Sequence, residues 1–228
     1  MMIIIRVLQV PEVLPEAYWN HFLSQVSAER RAQASRFVRQ ADAYRSVLGE
    51  ILTRVTLSKL TGLRPADLSF TRNSYGKPSL SHHSDVPFNV SHSGDWIALI
   101  SGGTDELGVD VEKIAPIDMQ IAERFFSPKE SQFLAAEPDD RRLETFYRLW
   151  TLKESYIKAV GMGLSIPLDS FAILPNERED WHCKQATAHR FYSQRLDDQH
   201  MLAACSPGEE LPSKPEIVTL EDLYTDLV

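Results

Sequence analysis

The chain has 228 residues, 43% of them hydrophobic and 25% charged, with 24 Lys plus Arg against 32 Asp plus Glu and a net charge of −8. This is ordinary globular composition, and its acidity excludes the broad basic footprint by which a protein grips nucleic acid; an anionic ligand would need a local basic cluster or a metal. No apolar run approaches the ~20 residues of a membrane span, and Cys183 and Cys205 stand outside any zinc-ligand spacing, so a cytoplasmic chain with buried thiols is expected.

Met1-Met2-Ile3-Ile4-Ile5-Arg6-Val7-Leu8 is apolar but short, has no basic leader and is soon followed by Pro11 and Glu12; it predicts a first strand rather than a signal peptide. Helical pieces are expected from Pro15 to Phe37, and a stronger helix from Asp42 to Leu60. In the latter, Tyr44, Val47, Leu48, Ile51, Leu52 and Val55 recur at helical spacing before Gly62. Leu68-Ser69-Phe70 predicts a short strand, Asn73 to Pro78 a turn, and Phe88-Asn89-Val90 and Trp96 to Ile100 two further strands. After Gly102-Gly103 a strand is expected over Leu107 to Glu112. Ser127-Pro128-Lys129-Glu130 has the form of a capping box with proline at the first helical position. A long helix should then run from about Arg141 to Val160, ended by Gly161-Met162-Gly163. Ser170 to Leu174, His189 to Leu196 and Met201 to Cys205 predict strands, and the tail from Ser206, with three prolines and several acids, predicts a surface extension. A faint repeat links Thr61 to Phe70 with Met162 to Phe171: each follows a long helix and passes through Gly-Leu, a proline and an aspartate to Ser-Phe. Either chance or a duplicated α+β half with a ligand cleft between copies accounts for it.

Asp110 and Glu112 are two apart on a predicted strand, so they project from one face about 6–7 Å apart. They read either as the solvated side of an amphipathic strand or as paired oxygen ligands for Mg²⁺. Trp150, Glu154 and Lys158 are four apart and share a helix face. Glu154 and Lys158 read either as a surface ion pair or as a metal ligand and a phosphate contact, with Trp150 in the core. Asn89-Val90-Ser91-His92-Ser93-Gly94 ends a strand among hydroxyls and a glycine, where donors can converge on an anion. Gly76-Lys77-Pro78 offers a cation on a stiff turn, and Arg30, Arg31 and Arg45 add charge near the N-terminus.

Taken in order, Gly108-Val109-Asp110-Val111-Glu112 and Trp150-Thr151-Leu152-Lys153-Glu154-Ser155-Tyr156-Ile157-Lys158 resemble the two signature motifs of the 4′-phosphopantetheinyl transferases. Further stretches are similar to the surfactin-synthetase type of that family: Asp42 to Arg45, Tyr75 to Pro78, Phe88 to Gly94, Arg124 to Ser127 and Gly163 to Leu168. The resemblance spans about residues 25 to 175 and implies an α+β fold of two similar halves related by a pseudo-two-fold, with the active site in the cleft between them. The halves would be residues 1–104 and 105–228, the second carrying the metal motifs and a tail from about 206. The implied reaction transfers 4′-phosphopantetheine from coenzyme A to a serine of an apo acyl or peptidyl carrier protein. The implied enzyme is a cytoplasmic monomer needing neither nucleic acid nor membrane.

Carried over residue by residue, the resemblance implies that Asp110, Glu112 and Glu154 hold Mg²⁺ and that Lys158 and His92 contact phosphate oxygens. Ser91, Ser46 and Lys77, with Arg45, Gly76 and Pro78, would line the nucleotide pocket, and Arg30 would face the 3′-phosphate. Glu154, or else Glu112, would serve as base. Gln33 stands where the family usually has a lysine, a departure that bears on the 3′-phosphate. Glu130 falls where the family often has an acid near the site, but it also completes the capping box. Met119, Ile121, Ala122 and Phe125 are either a docking face for the carrier or ordinary core. The rival class is a non-catalytic module binding coenzyme A or carrier; no GxxxxGK[ST] loop supports a nucleotide hydrolase.

Overall fold

The computed structural model describes residues 2–83, 85–103 and 107–227, and in it one succession of elements occurs twice. The first runs β1 (Ile4–Gln9), α1 (Glu16–Gln25), α2 (Ala28–Ala34), α3 (Gln40–Thr61), a 3-10 turn (Pro65–Asp67), hairpin β2 (Phe70–Arg72) with β3 (Pro78–Leu80), and hairpin β4 (Phe88–Ser93) with β5 (Trp96–Ser101). The second runs β6 (Gly108–Lys113), α4 (Gln120–Phe125), α5 (Pro128–Ala136), α6 (Asp139–Val160), two 3-10 turns, hairpin β7 (Ile173–Pro175) with β8 (Trp181–Cys183), and hairpin β9 (His189–Asp197) with β10 (His200–Pro207). The sheet orders match as well: β1–β5–β4 in the first, β6–β10–β9 in the second, all antiparallel. The faint repeat is therefore part of a full structural duplication. The expected boundary at 104–105 lies outside the described residues.

The long helices α3 and α6 have 22 residues each and end alike, on glycines in the left-handed region, Gly62 (φ 74°) and Gly161 (φ 76°), as a C-terminal stop requires. The apolar set predicted for α3 is buried, Val47, Leu48, Ile51 and Leu52 completely. Side chains alternate along β6, so Val109 and Val111 point one way and Asp110 and Glu112 the other. The valines join Ile5, Val7, Ala98 and Ile100 of the first sheet and Leu202 and Ala204 of the second in one cluster. Each buried valine, leucine or isoleucine there contributes about 1.5–3 kcal/mol, and this shared core holds the halves together.

The tail differs from expectation. Glu216–Val218 forms β11, pairing in parallel with β1, and α7 (Leu220–Thr225) follows behind a capping box of Thr219 and Asp222. Val218 and Leu223 are buried in the core of the first half, and Arg6 pairs with Glu216 at 3.0 Å. The prolines and acids masked a short apolar strand and an amphipathic turn that complete the N-terminal sheet. Cys183 and Cys205 are buried thiols, as expected.

Candidate active site

The site lies where β4 of the first half runs beside β6 of the second. Asn89, Ser91 and Ser93 alternate along β4 and meet β6 rung by rung. Asn89 Oδ1 accepts from the Val109 amide at 3.0 Å, and Ser91 Oγ donates to Asp110 Oδ1 at 2.8 Å. Ser93 Oγ donates to Glu112 Oε2 at 2.6 Å and accepts from the Lys113 amide at 3.1 Å. Two strands of period 2 thus interlock through side chains. The sequence reading singled out Ser91 but not Asn89 or Ser93, although all three share one parity, which was the available signal.

Gly108 brings the second motif to the first. A Cβ there would collide with the Ser155 carbonyl and the Ala159 amide, so only glycine lets β6 press against the backbone of α6. That approach sets Glu154 and Lys158, one helical turn apart, over Asp110 and Glu112. Lys158 Nζ lies 2.6 Å from Asp110 Oδ1 and donates to Ser91 Oγ at 2.9 Å. Trp150, on the same face two turns from Lys158, is partly buried, stacked on Phe146 and edge-on to Phe125, as the core role predicted.

Burial pushes the Asp110 carboxyl up, against the pull of Lys158, Ser91 and the Val111 amide. Burial and then the Asp110 charge raise Glu112, with Ser93 and Lys158 opposing. Glu154 is raised to about 7, by burial first, then by Asp110 against Lys158, with Glu112 adding. His92 is lowered by burial and by the nearby cations Arg45, Lys158 and Arg30; its edge is open to solvent, but enough protein surrounds it for desolvation to lead. Burial thus raises all three acids, the Asp110 charge adds to Glu112 and Glu154, and Lys158 opposes in each case. Asp110 Oδ2 is buried and has no hydrogen-bond partner among the described residues.

The other expected residues are placed as follows. Arg30 donates from Nε to Glu50 at 2.9 Å and from Nη1 to Ser46 Oγ and Gln33 Oε1, each at 2.9 Å. Arg45 donates to the Gly94 carbonyl at 2.7 Å and pairs with Asp42. Lys77 donates to the carbonyls of Leu107 (3.2 Å) and Ala159 (2.7 Å), which ties the Gly76-Lys77-Pro78 turn to the C-terminus of α6; Gly76 sits there at φ 88°. Of the two readings of Glu130, the structure bears out the cap. The side chain is fully buried, accepts from the Ser127 amide and hydroxyl and from the Ile173 amide, and pairs with the equally buried Lys153 at 2.6 Å. Met119, Ile121 and Phe125 pack, partly buried, on the core of Phe126, Leu134, Phe146 and Leu149.

Among the described residues no three Asp, Glu, His or Cys side chains already close on a point where a metal ion could sit. In kind, however, the donors fit a hard divalent cation: they are carboxylate oxygens raised first by burial, Asp110 adds to the shifts of Glu112 and Glu154, and one buried oxygen has no partner among the described residues.

Residues 106–206 match the model of the 4'-phosphopantetheinyl transferase superfamily, and residues 15–104 that of the 4'-phosphopantetheinyl transferase N-terminal region. A 4'-phosphopantetheinyl transferase of Bacillus subtilis is 37% identical over 209 residues, covering 90% of this chain and 92% of its own. The 4'-phosphopantetheinyl transferase gsp of Aneurinibacillus migulanus is 36% identical over 200 residues, covering 87% and 83%. A holo-(acyl-carrier-protein) synthase of Bacillus anthracis, solved in complex with CoA (3',5'-ADP), overlays 46% of this chain and 96% of its own at 18% identity and TM-score 0.40, a likeness too slight to bear on the site.

Proposed function

The chain belongs to the 4′-phosphopantetheinyl transferases, and on that premise we propose which of its residues perform the transfer. The reaction moves the 4′-phosphopantetheine group of coenzyme A onto a serine of an apo carrier protein. The serine Oγ bonds to the β-phosphorus, the bond to the bridging oxygen breaks, and adenosine 3′,5′-bisphosphate leaves with the electron pair.

Catalysis of phosphoryl chemistry is mostly positioning and charge. Lys158 and His92 reach the diphosphate, Arg45 and Ser46 line the nucleotide side with the Gly76-Lys77-Pro78 turn, and Arg30 faces the 3′-phosphate. Ser91 orients Asp110 and Lys158 together. Asp110, Glu112 and Glu154 would hold Mg²⁺, which when bound neutralises the diphosphate charge. Glu154, directly or across a water, takes the serine proton, with Glu112 as second candidate.

One observation carries this reading: Ser91 of β4 and Lys158 of α6 converge on Asp110 of β6, while Ser93 of β4 holds Glu112 beside it. Both halves of the site come from one chain, so a monomer suffices. No helix among the described residues is long and apolar enough to cross a membrane. The test is intact mass of several apo carriers after incubation with the protein, coenzyme A and Mg²⁺. A pantetheine-sized gain that vanishes with chelator supports the assignment, and a gain undiminished by chelator removes the metal from it. Binding of coenzyme A without any gain would favour the non-catalytic module instead.

A further inference from the structure

The turn between β4 and β5, Ser93-Gly94-Asp95, feeds the site twice, because Ser93 holds Glu112 and the Gly94 carbonyl holds Arg45. What supports this turn comes from the other half of the molecule. His200, 1% exposed, lies directly beneath it: a Cβ on Gly94 would collide with His200 Nε2, and Gly94 takes φ 55°. His200 Nδ1 lies 2.9 and 3.0 Å from the two Asp197 carboxylate oxygens, and Nε2 is 3.4 Å from the Asp95 amide. Asp197 is itself pinned by the Trp96 indole N–H at 2.7 Å and by the Gln199 amide at 2.7 Å. Although burial opposes it, these donors and His200 hold the Asp197 carboxyl below its ordinary range. An ionised Asp197 fixes the proton of His200 on Nδ1, which leaves the Nε2 lone pair to accept from the Asp95 N–H.

We propose that Asp197 and His200 are a positioning pair for the transfer reaction: from the β9–β10 turn they brace the Ser93-Gly94-Asp95 turn and so set Glu112 and Arg45 in place. The inference rests on the roles proposed above for those two residues. It also gives the interface between the halves a second task. The apolar cluster holds the sheets together, while this polar strut fixes the edge where the chemistry lies.

Two near-isosteres separate the strut from plain packing. His200→Asn keeps a donor at the Nδ1 position for Asp197 but loses the atom facing Asp95. His200→Gln places its Oε1 where Nε2 was. Hydrogen exchange of the Asp95 amide, thermal melting, and kcat and KM for coenzyme A are measured on each. His200→Asn should speed Asp95 exchange about tenfold and lower kcat/KM about five- to tenfold, the worth of roughly one hydrogen bond. His200→Gln should restore part of both, the lost Nδ1 contact with Asp197 accounting for the remainder. The proposal is overturned if folded His200→Asn leaves exchange and kinetics unchanged, or if folded His200→Gln is as impaired as His200→Asn. Should His200→Asn not fold, Asp197→Asn, which keeps the side chain's shape but removes the charge that fixes the His200 proton on Nδ1, carries the same expectation, and unchanged exchange and kinetics in it overturn the proposal. If the unaltered protein loads no carrier, the functional reading fails by itself; Asp95 exchange and calorimetric affinity for coenzyme A then decide the strut.

Discussion

The two halves share element order and sheet order but tie their long helices down with opposite chemistry. In the first, Glu50 of α3 accepts from the Ser27 amide and pairs with Arg30 (2.9 Å) and Arg54 (2.8 Å). In the second the acid sits at the start of α5 itself: Glu130 accepts from the Ser127 amide, and α6 supplies the cation, Lys153. Both networks pin the helix before the long helix at its N-terminus, but they differ in closure. The Glu130 and Lys153 side chains are 0% exposed, whereas that of Arg30 is 26% exposed. A closed pair can only hold the fold together. An open one leaves its outer cation for a ligand, and so the cleft receives Arg30 and Arg45 from one half and the acids, with Lys158 among them, from the other.

The hardest blow to this division of labour falls on the acids. Asp110→Ala should reduce carrier loading by about a thousandfold or more, the scale of losing a principal electrostatic element. Arg45→Ala across the cleft should raise KM for coenzyme A more than it lowers kcat. Steady-state kinetics on both variants checks this; a mainly KM effect of Asp110→Ala would reverse the assignment. The next effect concerns stability. Lys153→Ala strands a buried carboxylate and should cost about 3–5 kcal/mol, read by urea denaturation. Arg30→Ala, at the open end, should cost about 1 kcal/mol or less. Equal losses would mean the two networks are equally closed.

Much of this was legible in the residues. Glycine stops, helical spacing and the Ser-Pro-Lys-Glu box located α3, α6 and α5, because each rests on local geometry. The acids of β6 and the Glu154–Lys158 face were visible for the same reason. The role of Gly108 was not, since it depends on a helix about fifty residues later pressing on its Cα. Nor were the partners of Asn89 and Ser93, which lie on a strand that is not hydrogen-bonded to theirs through the backbone. The tail carries no local strand signal because its pairing with β1 spans nearly the whole chain, and nothing local distinguishes His200 from any other histidine at a turn.

The acids also leave a signature in pH. In the ligand-free protein the Glu154 carboxyl is raised from 4.5 to about 7. The folded state therefore binds this proton more tightly than the unfolded state, and stability from this group is present in full below about 4.5 and lost as pH rises through about 7. Glu154→Gln, which cannot ionise, should flatten that slope and melt higher than the unaltered protein at pH 8 without metal. Calorimetry across this range checks it, and parallel curves would show that Glu154 is not the titrating group. Mg²⁺ should raise the melting temperature of the unaltered protein at pH 8 and leave Asp110→Ala unmoved.

The smallest expected effect tests the cation side most finely. Gln33, where the family usually has a lysine, brings no charge to the 3′-phosphate, yet its Oε1 accepts from Arg30 Nη1 at 2.9 Å. Together with Glu50 and Ser46 it fixes the plane of a fork whose value lies in orientation. On the role proposed for Arg30, the departure exchanges a second cation for a better-held first one. Gln33→Ala removes one of three supports and should raise KM for coenzyme A about three- to fivefold, with little change for 3′-dephospho-coenzyme A, which offers Arg30 nothing to grip. Gln33→Lys adds charge but sets it against the guanidinium it replaced an acceptor for, so its effect on KM should be small. If Gln33→Ala weakens both substrates alike, Arg30 does not face the 3′-phosphate, and the open end of the Glu50 network serves another part of the ligand.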